Sequence, residues 1–211
     1  MNEKSLHVKL ERLKELGVAT VYEAAGREGL IDIGLYQLLP STKVAGRART
    51  VACGQSDNLM VHACVEHIQE GDVVVLAMPE PEAVGLIGDL LVTQIKLKGA
   101  AGILLNGAMR DVDELKNIGL PIWSQFVRAK GATKTKVGKV NSPVKVGGTI
   151  IRPNDLIIMD TDGATCVGWE RLNDVLEKAE ARLEREDTMR KRLLNGELSY
   201  DIHGLRHLVE S

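Results

Sequence analysis

Short apolar segments that alternate with helical segments constrain the fold of this chain more than any other feature. The runs "GDVVVLA" at 71–77, "GILLN" at 102–106 and "PIWS" at 121–124 have the length of strands, and the first has no charge after Asp72. Strands without charges are typical of sheets that are covered on both faces. The stretches between them have helical character. This alternation predicts an α/β layered sandwich with a mainly parallel central sheet.

Further elements are predicted on either side of this central region. They are a helix over 5–16 closed by Gly17, a strand over 43–53, a helix that starts at Asp57 and runs to about Gln69, and a hairpin of two strands around Pro153-Asn154-Asp155. The segment "GLIGDLLVTQIKLKG" predicts a helix that ends at Gly99. Gly147-Gly148 predicts a bend or turn, since no helix follows it.

The C-terminal part of the chain has a different pattern. From Trp169 to about Asn195 the sequence predicts one long charged helix, whose apolar positions stop at Leu183. We therefore expect the far end of this helix to extend away from the body or to contact another subunit. The predicted organisation is a single α/β catalytic domain over 1–168 and a C-terminal helix with its tail over 169–211.

Composition excludes several classes of partner. The formal net charge is -2 and aromatic residues make up 3% of the chain, so neither a polyanion partner nor a base-stacking surface is indicated, and we expect no nucleic-acid partner. No apolar run approaches the roughly 20 residues needed to span a membrane, so no membrane partner is expected. The scattered cysteines and an N-terminus without the apolar core of a signal peptide indicate a cytoplasmic protein.

Three charged residues follow the predicted strands. Asp89 starts the helix after the first run, and Arg110 and Asp111 follow the second. If the two strands are parallel, both loops lie at the same edge of the sheet, which is where open α/β sheets bind ligands. The sequence therefore predicts that these side chains converge. The alternative is that Asp89 and Asp111 only complement helix dipoles and that Arg110 is a surface arginine.

The residue types at this edge suit one kind of ligand. Carboxylates are ligands for Mg²⁺ or Mn²⁺, which often keep several waters. A guanidinium binds oxyanions, and the amides at the start of the helix over Gly88 to Leu91 suit a substrate carboxylate. An α-keto acid chelates such an ion, which would stabilise an enolate. His62 and His67, five residues apart on one predicted helix, do not have the spacing of a metal-binding pair and are interpreted as structural.

Several motifs together resemble a known family. These are "GDLL" at 88–91, "NGAMRDVDEL" at 106–115 and "GLPIWSQFVRAKGATK" at 119–134, with further likeness upstream and in the tail. They resemble the RraA-like superfamily, most closely its 4-hydroxy-4-methyl-2-oxoglutarate / 4-carboxy-4-hydroxy-2-oxoadipate aldolase branch. The resemblance implies a class II, divalent-metal-dependent pyruvate aldolase with an α/β sandwich fold. It also implies a homotrimer or homohexamer with active sites between subunits.

The resemblance implies a role for each matching residue. Asp111 would help to coordinate Mg²⁺ or Mn²⁺, and Arg110 would bind substrate oxygens and stabilise an alkoxide. Asp89 would hold a water, and the amides of Leu90 and Leu91, after Gly88, would bind the pyruvyl carboxylate. On the long helix, Glu186 would reach a neighbouring subunit's site.

The implied substrate is a small oxo acid, a 4-hydroxy-2-oxo di- or tricarboxylic acid. Retro-aldol cleavage would give pyruvate with oxaloacetate or a second pyruvate, and oxaloacetate decarboxylation is the expected side activity. The chain departs from the family pattern at Asn106, where many relatives have Asp, and at Ala83-Val84-Gly85, where Asp-Gly is expected.

Two other functions stay open on the sequence. The first is a non-catalytic regulator that binds a ribonuclease, as the namesake of the superfamily does. The second is a methyltransferase, which is disfavoured because no glycine-rich nucleotide loop follows an early strand.

Overall fold

A mixed β-sheet forms the centre of the protein, in a computed structural model that describes residues 3 to 210. The strands in chain order are β1 (Tyr36–Gln37), β2 (Val44–Ala52), β3 (Val73–Ala77), β4 (Gly85–Ile87), β5 (Gly102–Met109), β6 (Ile122–Val127), β7 (Lys139–Val140), β8 (Val144–Val146), β9 (Thr149–Ile151), β10 (Leu156–Asp160) and β11 (Gly163–Val167). The helices are α1 (Glu3–Ala24), α2 (Leu59–Cys64), α3 (Asp89–Leu97), α4 (Val112–Ile118), α5 (Leu172–Leu194) and α6 (Ser199–Ile202).

The sheet runs in the order β1-β6-β5-β3-β2-β10-β11. The strands β2, β3, β5 and β6 are parallel to their neighbours in this group, and β4 adds to β5 in parallel. Antiparallel strands close both ends of the sheet, and β8 and β9 form a separate hairpin. The predicted α/β sandwich with a parallel centre is therefore confirmed.

The parallel strands are apolar because both of their faces are covered. Every residue of β3 and β5 is buried. Since side chains alternate across a strand, one face packs Leu76 and Leu105 against α2, α3 and α4. The other face packs Val75 and Leu104 against the β8–β9 hairpin and β10. The helices α1 and α5 cover the outer side of β10 and β11.

Gly17 divides α1 as the sequence predicts. Its φ of 81° and ψ of 168° are not helical, so the helix breaks there and starts again. The backbone N–H of Val18 donates to Oδ2 of Asp160 at 2.8 Å, which satisfies a donor that the break leaves open. A Cβ on Gly17 would contact the same Asp160 oxygen at 2.8 Å, so glycine suits this position.

Two predicted elements are wrong. The helix predicted from Gly85 begins only at Asp89, because the three preceding residues form β4 and pair with the end of β5. The predicted hairpin around Pro153-Asn154-Asp155 does not form, because β9 pairs with β8 while β10 pairs with β11 and β2. Gly147 and Gly148, with φ of 53° and 82°, form the actual hairpin turn, as the sequence predicts.

The long C-terminal helix is present as α5. Its first half packs on α1 through Val175 and Ala179, and Nη2 of Arg12 donates to Oε2 of Glu180 at 2.7 Å. Its last turn is uncovered, and Leu194 is 81% exposed. The contact with a neighbouring subunit and the domain boundary after residue 168 stay predictions.

The side chain of Asn106 joins β5 to the end of β3. Met78 N–H donates to Oδ1 of Asn106 at 2.8 Å, and Nδ2 of Asn106 donates to the carbonyl of Met78 at 3.1 Å. The residue is 2% exposed. An amide both donates and accepts in this way, whereas an ionised carboxylate only accepts. The departure from the family pattern at this position is thus a buried clamp between two backbone segments.

We expect Asn106→Asp to lower the free energy of unfolding by about 2 kcal/mol or more, since it leaves a buried carbonyl without a donor beside a buried carboxyl. Denaturant unfolding at pH 7 measures this loss. The matched control is Asn141→Asp, where the exposed amide oxygen accepts from Arg49 at 3.0 Å and a carboxylate fits equally well. Equal stability of the two variants would contradict the clamp.

Candidate active site

The candidate site lies where the parallel strands end. Asp89 begins α3 directly after β4, and Arg110 and Asp111 follow β5. Because β4 and β5 are parallel, with Ile87 opposite Met109, these residues are brought to the same edge of the sheet. The helix α3, which carries Asp89, follows β4 rather than β3. Because β4 pairs with β5, it places the start of α3 beside the end of β5.

The carboxylate of Asp111 connects the three residues. Its Oδ2 accepts from the backbone N–H of Asp89 at 3.3 Å and lies 3.4 Å from Nε of Arg110. Asp111 has φ 56° and ψ 44°, a left-handed conformation that Asp tolerates better than most residues. Its side chain does not cap its own helix, α4. Its carboxylate instead accepts from the first amide of the neighbouring helix α3 and lies beside Arg110.

Glycines surround the Arg110 side chain. A Cβ on Gly88 would overlap Oδ2 of Asp111 and lie 3.1 Å from Nε of Arg110. A Cβ on Gly85 or Gly131 would approach the same arginine at 3.4 or 3.3 Å. The guanidinium thus lies in a trough that other side chains would fill. Gly85 belongs to the segment where the sequence departs from the family pattern.

The start of α3 presents backbone amides beside this trough. The first intrahelical bond runs from Val92 N–H to the Gly88 carbonyl at 3.1 Å, so the amides of Leu90 and Leu91 precede it. The Leu90 side chain is 78% exposed, whereas that of Leu91 belongs to the core. Only their backbone groups are therefore suited to a polar ligand.

A cavity of about 140 Å³ contains Asp89, Arg110 and the first turn of α3 in its wall. Its other lining residues are Asn58, His62, Gly85, Ile87, Ala132 and Lys134. Asn58 and Lys134 are not predicted as site residues from the sequence, and the spacing of His62 and His67 predicts a structural role for His62. All three lie in segments that follow β2 or β6, so the rule that placed Arg110 at this edge also applies to them.

Asn58 and His62 give this wall its polar groups. Nδ2 of Asn58 donates to the Leu86 carbonyl at 3.0 Å, while Oδ1 is buried and has no hydrogen-bond partner among residues 3–210. Burial and the nearby charge of Lys134 lower the pKa of His62 below its ordinary value. At neutral pH the imidazole is therefore mainly uncharged, and Lys134 carries the positive charge on this side of the cavity.

The donor set fits a hard divalent cation that keeps part of its water shell. Asp89 and Asp111 supply two carboxylates, and both contacts of Asp111 involve Oδ2 and not Oδ1. Mg²⁺ is commonly bound through one or two carboxylates. Within the described part of the chain, no group of three or more His, Cys, Asp or Glu side chains is arranged to hold a metal. A cation at Asp111 would therefore have few protein ligands from this chain.

Glu186 does not line this cavity. Its Oε1 lies 2.8 Å from Nε of Arg182 on the same helix, and Arg182 also contacts Glu23 at 3.7 Å. These contacts hold it beside α1. Its contribution to a neighbouring subunit's site stays a prediction.

Asp57 is the most thoroughly bonded carboxylate near the cavity. It is fully buried, and it accepts hydrogen bonds from Leu59 N–H at 2.8 Å and from Thr133 Oγ1 at 2.6 Å. The N–H groups of Thr135 and Lys136 donate at 2.7 and 3.1 Å. Burial by itself would raise the pKa of Asp57, but these four bonds together hold it well below the ordinary value.

The fold and the site together define an α/β protein with an arginine and two carboxylates at the carboxyl edge of a parallel sheet. A family model described as "RraA-like: Aldolase/RraA" matches residues 18–166. The chain therefore belongs to the RraA-like family, as the resemblance of its motifs indicates.

Known relatives carry different functional names. A protein of Halalkalibacterium halodurans named "Putative 4-hydroxy-4-methyl-2-oxoglutarate aldolase" is 33% identical over 153 residues, which are 72% of each chain. The crystal structure of Streptomyces coelicolor RraAS2, titled an unusual member of the RNase ES inhibitor RraA protein family, is 28% identical with a TM-score of 0.78. It covers 86% of this chain and 95% of its own.

The fold alone is supported by a third similarity. An uncharacterized protein from Pseudomonas syringae pv. tomato superposes with a TM-score of 0.80 at 21% identity, over 91% of this chain and 94% of the other. Among the helices of residues 3–210, none has both the length and the hydrophobicity that a membrane-spanning helix requires.

The low pKa of Asp57 predicts an acid-dependent loss of stability. A carboxyl whose pKa is lower in the folded state stabilises the fold above its unfolded pKa of about 3.9, and this stabilisation is lost as the pH falls towards the folded value. We expect the difference in unfolding free energy between wild type and Asp57→Asn to be largest above about pH 4 and to shrink below it. Urea unfolding between pH 7 and 2 measures it, and a constant difference would contradict the assignment.

Proposed function

We propose that this protein is a divalent-metal-dependent pyruvate aldolase that cleaves a 4-hydroxy-2-oxo di- or tricarboxylic acid. The observation that carries the proposal is the contact of Asp111 Oδ2 with both the Asp89 amide and the Arg110 guanidinium, beside a cavity that Arg110 and Lys134 both line. The name of the Halalkalibacterium relative supports the same chemistry.

Each residue has a role that its chemistry supports. Arg110 binds the oxygens of the oxo acid and stabilises negative charge that develops on them, because guanidinium groups donate paired hydrogen bonds. The amides of Leu90 and Leu91 bind the carboxylate next to the keto group at the helix N-terminus. Asp111 would hold Mg²⁺ or Mn²⁺, and Asp89 would orient a water that moves a proton. When bound, the cation supplies positive charge that lowers the free energy of an enolate.

The remaining cavity lining favours substrates with a second carboxylate. Lys134 and His62 line the same cavity as the first turn of α3 and offer a charge and a hydrogen-bonding ring. The reaction would release pyruvate together with oxaloacetate or a second pyruvate. Oxaloacetate yields the same enolate when it loses CO₂, so decarboxylase activity belongs to the proposal.

The proposal includes a cytoplasmic homotrimer or homohexamer. Leu194, Leu198, Leu208 and Val209, at the end of α5 and in the tail, expose large apolar side chains, which support a contact with another subunit. Glu186 on the same helix would then contribute to a neighbour's site. Buried free cysteines at 53, 64 and 166 fit a reducing compartment.

A regulatory role is the second candidate, and the similarity to RraAS2 favours it. A regulator of ribonuclease needs a surface but no turnover. Pyruvate release therefore separates the two functions.

We expect purified protein to release pyruvate from 4-hydroxy-4-methyl-2-oxoglutarate, 4-carboxy-4-hydroxy-2-oxoadipate or oxaloacetate when Mg²⁺ or Mn²⁺ is present. Excess EDTA should abolish the activity, and added cation should restore it, because no lysine is assigned a covalent role. A coupled lactate dehydrogenase assay measures pyruvate, and borohydride with pyruvate should leave the enzyme active. A folded protein that releases no pyruvate from any of the three would sink the aldolase proposal and favour the regulator.

We expect Arg110→Ala to lower kcat by about 100-fold to 1000-fold, the usual effect of removing a donor that stabilises developing negative charge. Thermal unfolding should change little, because the Arg110 side chain is half-exposed. Arg152→Ala, on an exposed arginine between β9 and β10, is the matched control and should keep wild-type kinetics. Equal activity of both variants would remove Arg110 from the mechanism.

A further inference from the structure

We infer that Asp57 is a positioning residue for substrate binding, because its buried carboxylate holds a basic loop in place as one wall of the cavity. The inference rests on the proposed function. We call residues 128–138, between β6 and β7, the cationic loop. It contains Arg128, Lys130, Lys134 and Lys136 and no acidic residue.

Asp57 connects the cationic loop to the sheet edge across a long separation in sequence. Oδ2 accepts from the Thr133 hydroxyl at 2.6 Å and from the N–H groups of Thr135 and Lys136 at 2.7 and 3.1 Å. These donors lie on both sides of Lys134, which lines the cavity. One buried oxygen therefore fixes the backbone from which the Lys134 side chain extends.

The same carboxylate also fixes the opposite segment. Oδ1 of Asp57 accepts from Leu59 N–H at 2.8 Å at the start of α2. The neighbouring Asn58 and, one turn later, His62 line the cavity. Asp57 thus holds two walls at once, and it does so from outside the cavity, since it is not part of the lining.

Other contacts of the cationic loop are backbone bonds to uncharged carbonyls or side-chain contacts that lie partly in solvent. Lys130 Nζ donates to Glu82 Oε1 at 2.8 Å, but its side chain is 66% exposed, and such pairs contribute little. Ala132 packs at the margin of the core, whereas Val137 is 81% exposed. Backbone bonds also run from Asn58 N–H to the Thr133 carbonyl at 2.9 Å and from Thr133 N–H to the Ser56 carbonyl at 3.0 Å. Nearer the start of the loop, Gly85 N–H donates to the Lys130 carbonyl at 2.7 Å.

Loss of the Asp57 carboxylate is expected to weaken substrate binding, because the cationic loop would then have to be ordered when the substrate binds. A loop with few apolar contacts is ordered mainly by its hydrogen bonds, and those to a charged acceptor are the strongest. If the carboxylate is lost, substrate binding must order the loop again, which weakens affinity. Arg110, Asp111 and the start of α3 belong to other segments, so the chemical step is affected less.

The test compares two buried aspartates at opposite ends of neighbouring parallel strands: Asp57 follows β2, and Asp72 precedes β3. Asp57→Asn keeps the shape but places an amide where donors converge, and we expect KM for the oxo acid to rise about tenfold while kcat stays within about threefold. Asp72→Asn is the matched control, since Asp72 is fully buried before β3 and its Oδ2 accepts from Arg49 at 2.9 Å. This control should lose stability but keep the wild-type KM.

Amide hydrogen exchange on the free protein measures the order of the cationic loop independently of catalytic activity. We expect faster exchange at residues 131–137 in Asp57→Asn and not in Asp72→Asn. If Asp57→Asn fails to fold, Thr133→Val removes one of the four bonds and should give a smaller rise in KM with the same local exchange. In whichever variant folds, unchanged exchange of the loop, or a loosened loop with an unchanged KM, overturns the inference. Wild-type protein that releases no pyruvate refutes the proposed function instead. The exchange result would still test whether Asp57 orders the cationic loop.

Discussion

The contact of one carboxylate oxygen with two neighbouring groups organises the candidate site. Oδ2 of Asp111 accepts a hydrogen bond from the first amide of α3 and lies beside the guanidinium of Arg110. This geometry requires the left-handed backbone of Asp111 and the absence of a side chain at Gly88. It also requires β4, because that short strand aligns the start of α3 with the end of β5. The sheet edge, the helix start and the charged residues are thus one local structure.

The sequence predicts the central fold because burial leaves a strong pattern. The segments β3 and β5 are apolar throughout, and the glycines and polar residues at their ends mark the turns. It does not predict β4, because Gly85-Leu86-Ile87 continues the apolar spacing of α3 and only pairing with β5 makes it a strand. At 153–155 the turn residues are present, with Asn154 at φ 70°, but the turn joins strands that pair elsewhere. Local chemistry identifies a turn without identifying the partner strands.

The same limit applies to the site. Asp89, Arg110 and Asp111 are adjacent to obvious strands and could be grouped by topology. Asn58, His62 and Lys134 also follow parallel strands, β2 and β6, but they lie in the segments beyond the strand ends. No spacing in the sequence encodes the buried bonds of Asp57 that connect those segments. Asn106 shows the converse case. Its departure from the family pattern gives no structural clue in the sequence, whereas in the fold its amide bonds both backbone groups of Met78 and so joins β5 to the end of β3.

The cavity is assembled from stretches that are distant in the chain. Residues 85–91 and 110 form one part of its lining, where added atoms at Gly85 or Gly88 would meet Arg110 or Asp111. The start of α2 and the loop after β6 form another part, where the side chain of Lys134 is exposed. A side chain at Gly88 is therefore sterically blocked, whereas position 134 has room for side chains of other size and charge. Exchange at that single position can alter which anionic groups the cavity accepts without disturbing the packing around Arg110.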